Sequence, residues 1–320
     1  MNEPRPILLP IVLGPTGSGK SELGLRIAAE LGGEIVNCDS LQVYRGFDIG
    51  TAKVPIGERR GIPHHLIDIV EPAALFTAGD YLREARAVLE EIAARGRIPV
   101  VVGGTGFYLR ALLEGLFAGP GRDEMLRLRL EQREQRRPGG LHRILSRLDH
   151  TAASRIHPND KNKTIRALEV RLLARQPMST LFTEGRPALT GFIPFKIGLH
   201  PERSALYARL DARTAAMFER GLITEVQQLL ARGVPREAKP FESLGYKQTL
   251  LVLDGQLTVE QAIQSTQMET RHYAKRQVTW FRKEADVLWL DGFGDAPAIQ
   301  TQAAKIINAA TKKCESCKNI

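Results

Sequence analysis

The chain has 320 residues, 43% of them hydrophobic and 25% charged, with a formal net charge of +9. That balance fits a soluble globular protein with one sizeable core and a second, smaller unit. No apolar run approaches the roughly 18 residues that cross a bilayer, "MNEPRP" lacks a secretory pattern, and three cysteines fit a reducing compartment, so a cytoplasmic setting is expected.

In chain order, "PILLPIVLG" (6–14) reads as a buried strand and "KSELGLRIAAEL" (20–31) as an amphipathic helix. Between them lies "GPTGSGKS" (14–21), a G-x-x-x-x-G-K-S pattern. Gly14, Gly17 and Gly19 permit a tight turn, so that in the loop they form with Pro15, Thr16 and Ser18 the backbone N–H groups converge on phosphate oxygens at a helix N-terminus, Pro15 itself having none to donate. Lys20 adds a point charge, and the Ser21 hydroxyl is the expected Mg²⁺ ligand. A diphosphate-binding loop follows from this pattern. Which diphosphate it binds does not.

"GEIVNCDS" (33–40) reads as a second strand ending in a carboxylate, "AGDYLREARAVLEEIAARG" (78–96) as a helix stopped by Gly96, and "GRIPVVVGGTG" (96–106) as a third strand. Strand, helix, strand at this spacing implies a parallel sheet covered by helices. From 121 the texture becomes helical, through "RDEMLRLRLEQREQ", "GLHRILSRL" and "KNKTIRALEVRLLARQ", the last with a capped start near Asp160. "FIPFKIGLH" (192–200) returns to the sheet, and helices follow at 203–221, 223–233 and 258–283. The expected organisation is an α/β core of 1–120 and 191–300, a basic helical insertion at 121–190, and a flexible tail at 301–320. Cys314 and Cys317 form a lone C-x-x-C pair in that tail, short of the four ligands a structural zinc site needs.

Charge is unevenly spread. Residues 1–120 carry 12 Lys/Arg against 14 Asp/Glu, whereas 121–200 carry 16 against 8. A twofold excess of one sign in one segment points to a polyanionic partner, most simply nucleic acid. The helix at 258–283 adds a basic stripe through Arg271, Lys275 and Arg276 beside Tyr273, Trp280 and Phe281, aromatics that serve either core packing or base stacking.

Loops that drive phosphoryl transfer pair with a second Mg²⁺-binding Asp at a later strand end. "RIPVVVGGTG" ends without one, and Asp39 is the acid placed at a strand end near the loop. It suits a metal-shell ligand, a general base or a turn cap, and neighbouring Ser40 and Gln42 can hydrogen-bond a nucleobase edge. A small-molecule phosphotransferase, or a prenyltransferase acting on free adenine nucleotides, explains the loop but not the basic insertion. A non-catalytic RNA-binding module explains the charge but not the loop.

"GPTGSGKS", "IVNCDSLQVYRGFDIGTAK", "GIPHHLID", "VVGGTGFYLRALLEGL", "HPNDKNKTIRALEV", "LGYKQ" and "RHYAKRQVTWFRK", in this order, resemble the bacterial tRNA dimethylallyltransferases across about residues 8–290. The resemblance implies a nucleoside-kinase-like phosphate-loop α/β core with an all-helical insertion that clasps the anticodon stem-loop. It implies transfer of a dimethylallyl group from dimethylallyl diphosphate to N6 of the adenine 3′ of the anticodon, with Mg²⁺ present, and nothing demands more than a monomer. By the same resemblance Asp39 is the proton acceptor, Thr105 and Arg127 lie around the target and diphosphate, and Arg213 meets the diphosphate. Asp39, Ser40, Leu41 and Gln42, then Asn162, Lys163, Thr164, Ile165 and Arg166, then Tyr246 and Lys247 fall on segments that contact tRNA in the family, and Lys275 and Arg276 of the basic helix are further candidates for that contact. Lys163 stands where the family has an arginine, and Glu242 where a basic residue is usual.

Overall fold

Alternation along buried strands decides how the core is layered. In the computed structural model, which describes residues 6–183 and 185–316, β1 (Ile7–Leu13) sits in a six-stranded sheet with β2 (Glu34–Asn37), β3 (His64–His65), β4 (Pro99–Gly103), β5 (Phe192–Leu199) and β6 (Val287–Leu290). Their order is β3-β2-β4-β1-β5-β6, and every pairing is parallel. Leu9, Ile11 and Leu13 of β1 and Val101 of β4 pack on one face, while Val12, Val100 and Val102 pack on the other. Both faces are covered, so the strands read as apolar runs rather than alternating ones.

The helices between the strands are α1 (Lys20–Leu31), α2 (Ala78–Ala94) and α3 (Gly106–Glu114). Thr77 and Asp80 form a capping box that starts α2, whose Tyr81, Ala85, Leu89 and Ile92 lie against the Leu9 face. The insertion holds α4 (Glu124–Arg136), α5 (Gly140–Leu148), α6 (His150–Arg155), α7 (Lys161–Ala174) and α8 (Met178–Thr183). After β5 come α9 (Arg203–Glu219), α10 (Leu222–Ala231), α11 (Tyr246–Leu253) and α12 (Val259–Phe281), and α13 (Pro297–Ser316) follows β6. No helix among the described residues is long and apolar enough to cross a membrane.

The chain forms two compact units, Met1–Leu113 with Leu189–Ile320, and Glu114–Ala188. The second unit has its own core around Leu141, Leu145, Ile165 and Leu168. Asp123, Asp149 and Asp160 each accept a backbone N–H at the start of one of its helices. Arg129, Arg133, Arg136, Arg143 and Lys161 stand exposed on it.

The expected flexible tail at 301–320 is corrected as far as 316: those residues continue α13, whose Ile299, Ala303 and Ile307 pack on Leu23, Ile27 and Ala28 of α1. Residues 317–320, Cys317 among them, lie outside the described residues. Ile307→Ala should lower unfolding free energy by about 2–4 kcal/mol in urea denaturation, as a cavity in a closed core does. An unchanged midpoint would show that α13 is not part of this core.

Candidate active site

The loop from β1 to α1 is tight because its neighbours press on it. Gly17 and Gly19 take φ of +76° and +85°. A Cβ would lie 2.6 Å from Leu210 Cδ2 at Gly17, and 2.8 Å from Asp295 Oδ1 at Gly19. Both positions therefore need glycine for conformation and for room. The Ser18 carbonyl accepts from Gly294 N at 2.8 Å, which ties the loop to the turn after β6. α1 opens at Lys20 without a side-chain cap, leaving helix N-terminal N–H groups for an anion. The Ser21 hydroxyl has no hydrogen-bond partner among the described residues.

A cavity of about 550 Å³ opens over this loop and gathers Lys20, Ser21, Asp39, Gln42, Arg213 and Tyr273. Asp39 follows β2, and its Oδ1 accepts from Leu41 N at 2.8 Å and Gln42 N at 3.3 Å. The turn cap is thus real, and it fixes the carboxylate while leaving Oδ2 free of hydrogen bonds among the described residues. Thr105 acts one step behind: its Oγ1 accepts from Ser40 N at 3.1 Å and so holds the Asp39 turn. Gln42 donates through Nε2 to Thr51 O at 3.0 Å, which orients its amide.

Cations in the cavity are held under electrostatic pressure. Burial pushes Lys20 down to about 7, with Arg213 adding to the fall and Asp39 opposing it. Lys20 Nζ donates to Pro15 O at 2.7 Å. Burial also lowers Arg213 to about 10, offset by Asp39 and reinforced by Arg209 and Arg220. Burial, with the Asp39 charge, lifts the Tyr273 hydroxyl well above its ordinary value. Among the described residues no three His, Cys, Asp or Glu side chains cluster to hold an ion. A bare hydroxyl beside a phosphate cradle suits a hard cation that keeps water and takes substrate oxygens, as Mg²⁺ does.

Residues expected at RNA separate by burial. Asn162 and Lys163 are exposed on α7, whereas Thr164 and Ile165 are 2% and 3% exposed and face the insertion core. RNA contact through those two side chains is corrected: a helical segment turns half of its residues inward. Tyr246 is corrected too, being fully buried with its hydroxyl donating to Glu225 Oε1 at 2.6 Å and accepting from Gly50 N. Lys247 pairs with Glu269 at 2.5 Å and stays partly exposed. Lys275 and Arg276 line a separate cavity of about 520 Å³ with Arg110, His272, Trp280 and Lys283.

Arg127 lies in the insertion, bidentate on Glu169 at 2.8 and 3.0 Å. Glu169 is fully buried and also accepts from Arg166 Nη1 at 2.6 Å and Asp123 N at 2.8 Å. Although burial opposes its ionisation, these bonds hold its carboxyl down to about 2. Sequence reasoning misses this anion, as it misses the Arg209–Asp295 pair at 2.7 Å behind the loop and the amide of Gln277 within the cavity. Glutamates and glutamines on amphipathic helices give no local sign of such a partner.

The model of the family described as IPP transferase matches residues 42–284 of this chain. The chain belongs to the IPP transferase family. It is 61% identical to a tRNA dimethylallyltransferase of Solibacter usitatus over 91% of this chain and 95% of that protein. A second relative of the same name, from Koribacter versatilis, is 57% identical over 95% and 99%. The fold is similar to the crystal structure of the full-length tRNA isopentenylpyrophosphate transferase of Bacillus halodurans, with TM-score 0.72, 38% identity, and 98% and 99% of the two chains covered. A eukaryotic dimethylallyltransferase captured acting on tRNA gives TM-score 0.76 at 31% identity over 89% and 74%. The IPP transferase match starts at Gln42, so the phosphate loop and Asp39 stand on their own geometry.

An anion bound beside Lys20 should raise its pKa from about 7 toward its ordinary value. Pyrophosphate binding at pH 8 should then take up about one proton, and affinity should fall as pH rises above 7. Calorimetry in two buffers of different ionisation enthalpy measures this. Lys20→Arg, charged throughout, should lose that uptake; equal uptake in both proteins would refute the assignment.

Proposed function

We propose that the protein transfers a dimethylallyl group from dimethylallyl diphosphate to N6 of the adenine 3′ of the anticodon in tRNA, releasing pyrophosphate. One observation carries this reading: a single cavity joins a phosphate loop, Lys20, Arg213 and Asp39, while neighbouring β4 ends at Gly103, followed by Gly104, with no carboxylate for phosphoryl transfer. The allylic carbon–oxygen bond breaks and a carbon–N6 bond forms. The electron pair leaves on pyrophosphate, and the amine's proton goes to Asp39.

Loop N–H groups, Lys20 and Arg213 oppose the charge that grows on the leaving group. Ser21 would hold Mg²⁺, which when bound would neutralise diphosphate charge. Asp39 orients the weakly nucleophilic amine through Oδ2 and accepts its proton. Gln42, with its Nε2 already committed, offers Oε1 to the adenine edge. Thr105 keeps the Asp39 turn in place. The target base leaves its stack to reach the cavity. Exposed cations of the insertion, Lys163 among them, hold RNA phosphates, and Lys275 and Arg276 do so on α12. Glu169 fixes Arg127 and Arg166 in the insertion that binds the anticodon stem-loop.

Mixing the protein with unmodified tRNA, labelled dimethylallyl diphosphate and Mg²⁺ should place label on the RNA; ATP consumption without label transfer would overturn the reading. Asp39→Ala should cut transfer about 10²–10⁴-fold and leave tRNA binding within a few-fold. Loss of binding instead would make Asp39 a recognition residue. Lys161→Glu with Lys163→Glu should weaken tRNA binding and flatten its salt dependence by about one unit of slope per lost phosphate contact. An unchanged slope would remove α7 from the RNA interface.

A further inference from the structure

Gln277, on α12, is 6% exposed, and its amide is committed to two backbone groups. Oε1 accepts from Thr16 N–H at 2.7 Å, and Nε2 donates to the Gly104 carbonyl at 2.8 Å. Thr16 opens the phosphate loop after β1. Gly104 lies in the turn after β4. Pairing of these neighbouring strands ends at Leu13 and Gly103, so Gln277 supplies the next rung after the ladder has stopped. The approach is close: a Cβ at Gly104 would lie 2.5 Å from Nε2. A side chain that carries an acceptor and a donor on one planar group satisfies both loops.

Each loop leads to one half of the chemistry. From Thr16 the chain runs into Gly17, Gly19, Lys20 and Ser21, where the diphosphate sits. From Gly104 it runs into Thr105, which holds Ser40 N and with it the Asp39 turn. We propose that Gln277 is a positioning residue that sets the spacing between leaving-group cradle and proton acceptor. This rests on the reading of the cavity given above. A displacement needs amine, carbon and departing oxygen aligned, and small errors in that spacing are costly in rate.

Gln277→Glu tests the idea because its two protonation states differ in the feature that matters. As a carboxylate it accepts from Thr16 but opposes the Gly104 carbonyl. As the neutral acid its O–H donates to Gly104 and its carbonyl accepts from Thr16, which restores both bonds. Lys20, Asp39, Arg213 and Tyr273 line the same cavity and are common to every variant, so each profile is read relative to the unsubstituted protein.

At pH 8, kcat for dimethylallyl transfer by Gln277→Glu should fall about 10- to 100-fold with KM for tRNA little changed. The deficit should shrink as pH is lowered toward 5.5. Gln277→Leu should show a similar deficit at every pH, and if it fails to fold, the pH dependence of the Glu variant still decides. Pyrophosphate titration of the same proteins should show weaker binding in both variants, a readout independent of turnover. A Glu variant with unchanged kcat throughout, or a deficit independent of pH and accompanied by a lowered melting temperature, would reduce Gln277 to packing. Absence of transfer by the unsubstituted protein would instead overturn the reading of the cavity.

Discussion

Concentrating positive charge around the start of a helix, offset only in part by Asp39, is the constraint from which the site's construction follows. Lys20 and Arg213 line the same cavity, and both have lowered pKa values because burial disfavours their charged forms, helped by Arg213 at Lys20 and by Arg209 and Arg220 at Arg213. Asp39 offsets part of that cost. An anion placed beside them would offset it further, which is the electrostatic basis of the function proposed above.

Such a cradle is useful only if its backbone cannot drift, and distant parts of the chain supply that rigidity. Leu210 of α9 presses on Gly17, and the turn after β6 presses on Gly19 and bonds Ser18. Asp295 in that turn is itself pinned by Arg209. The loop near the N-terminus is therefore completed by residues about 190 to 275 positions later, as the sequence numbering shows. Contacts of that separation bring slow loop closure in folding, but they allow one cooperative core to hold the chemistry.

What could be read in the sequence follows from how local each signal is. Strand, glycine turn and helix at 6–31 announce themselves within one short window, and the helices at 78–96 and 258–283 do so by periodicity and caps. β3 and β6 escape because two- and four-residue edge strands carry too little pattern. The spacing of Ile299, Ala303 and Ile307 is helical, yet it sits beside a lysine- and cysteine-bearing end that reads as a tail. At the site, motif segments name stretches of chain without saying which side chains turn outward. Thr164, Ile165 and Tyr246 fall inside RNA-linked segments and point into cores. Gln277 shows the opposite failure, since its role depends on two loops that only the fold brings together.

Glu169 shows how the insertion solves the same electrostatic problem in reverse. A unit with a large excess of basic residues repels itself, and burying one carboxylate between Arg127 and Arg166 relieves that locally. Two guanidinium groups share one anion, so the cluster keeps a net positive charge while its geometry is locked. Its carboxyl is held down to about 2, against about 4.5 in an unfolded chain, so the pairing is present at neutral pH and is lost only as pH falls from 4.5 toward 2. Removing that charge would leave two half-buried guanidinium groups facing each other without their shared anion, Arg166 keeping only its bond to the Pro120 carbonyl. The core cavity leaves Lys20 and Arg213 only partly offset by Asp39, whereas the insertion pairs Arg127 and Arg166 with a carboxylate of its own and keeps its other cations outward.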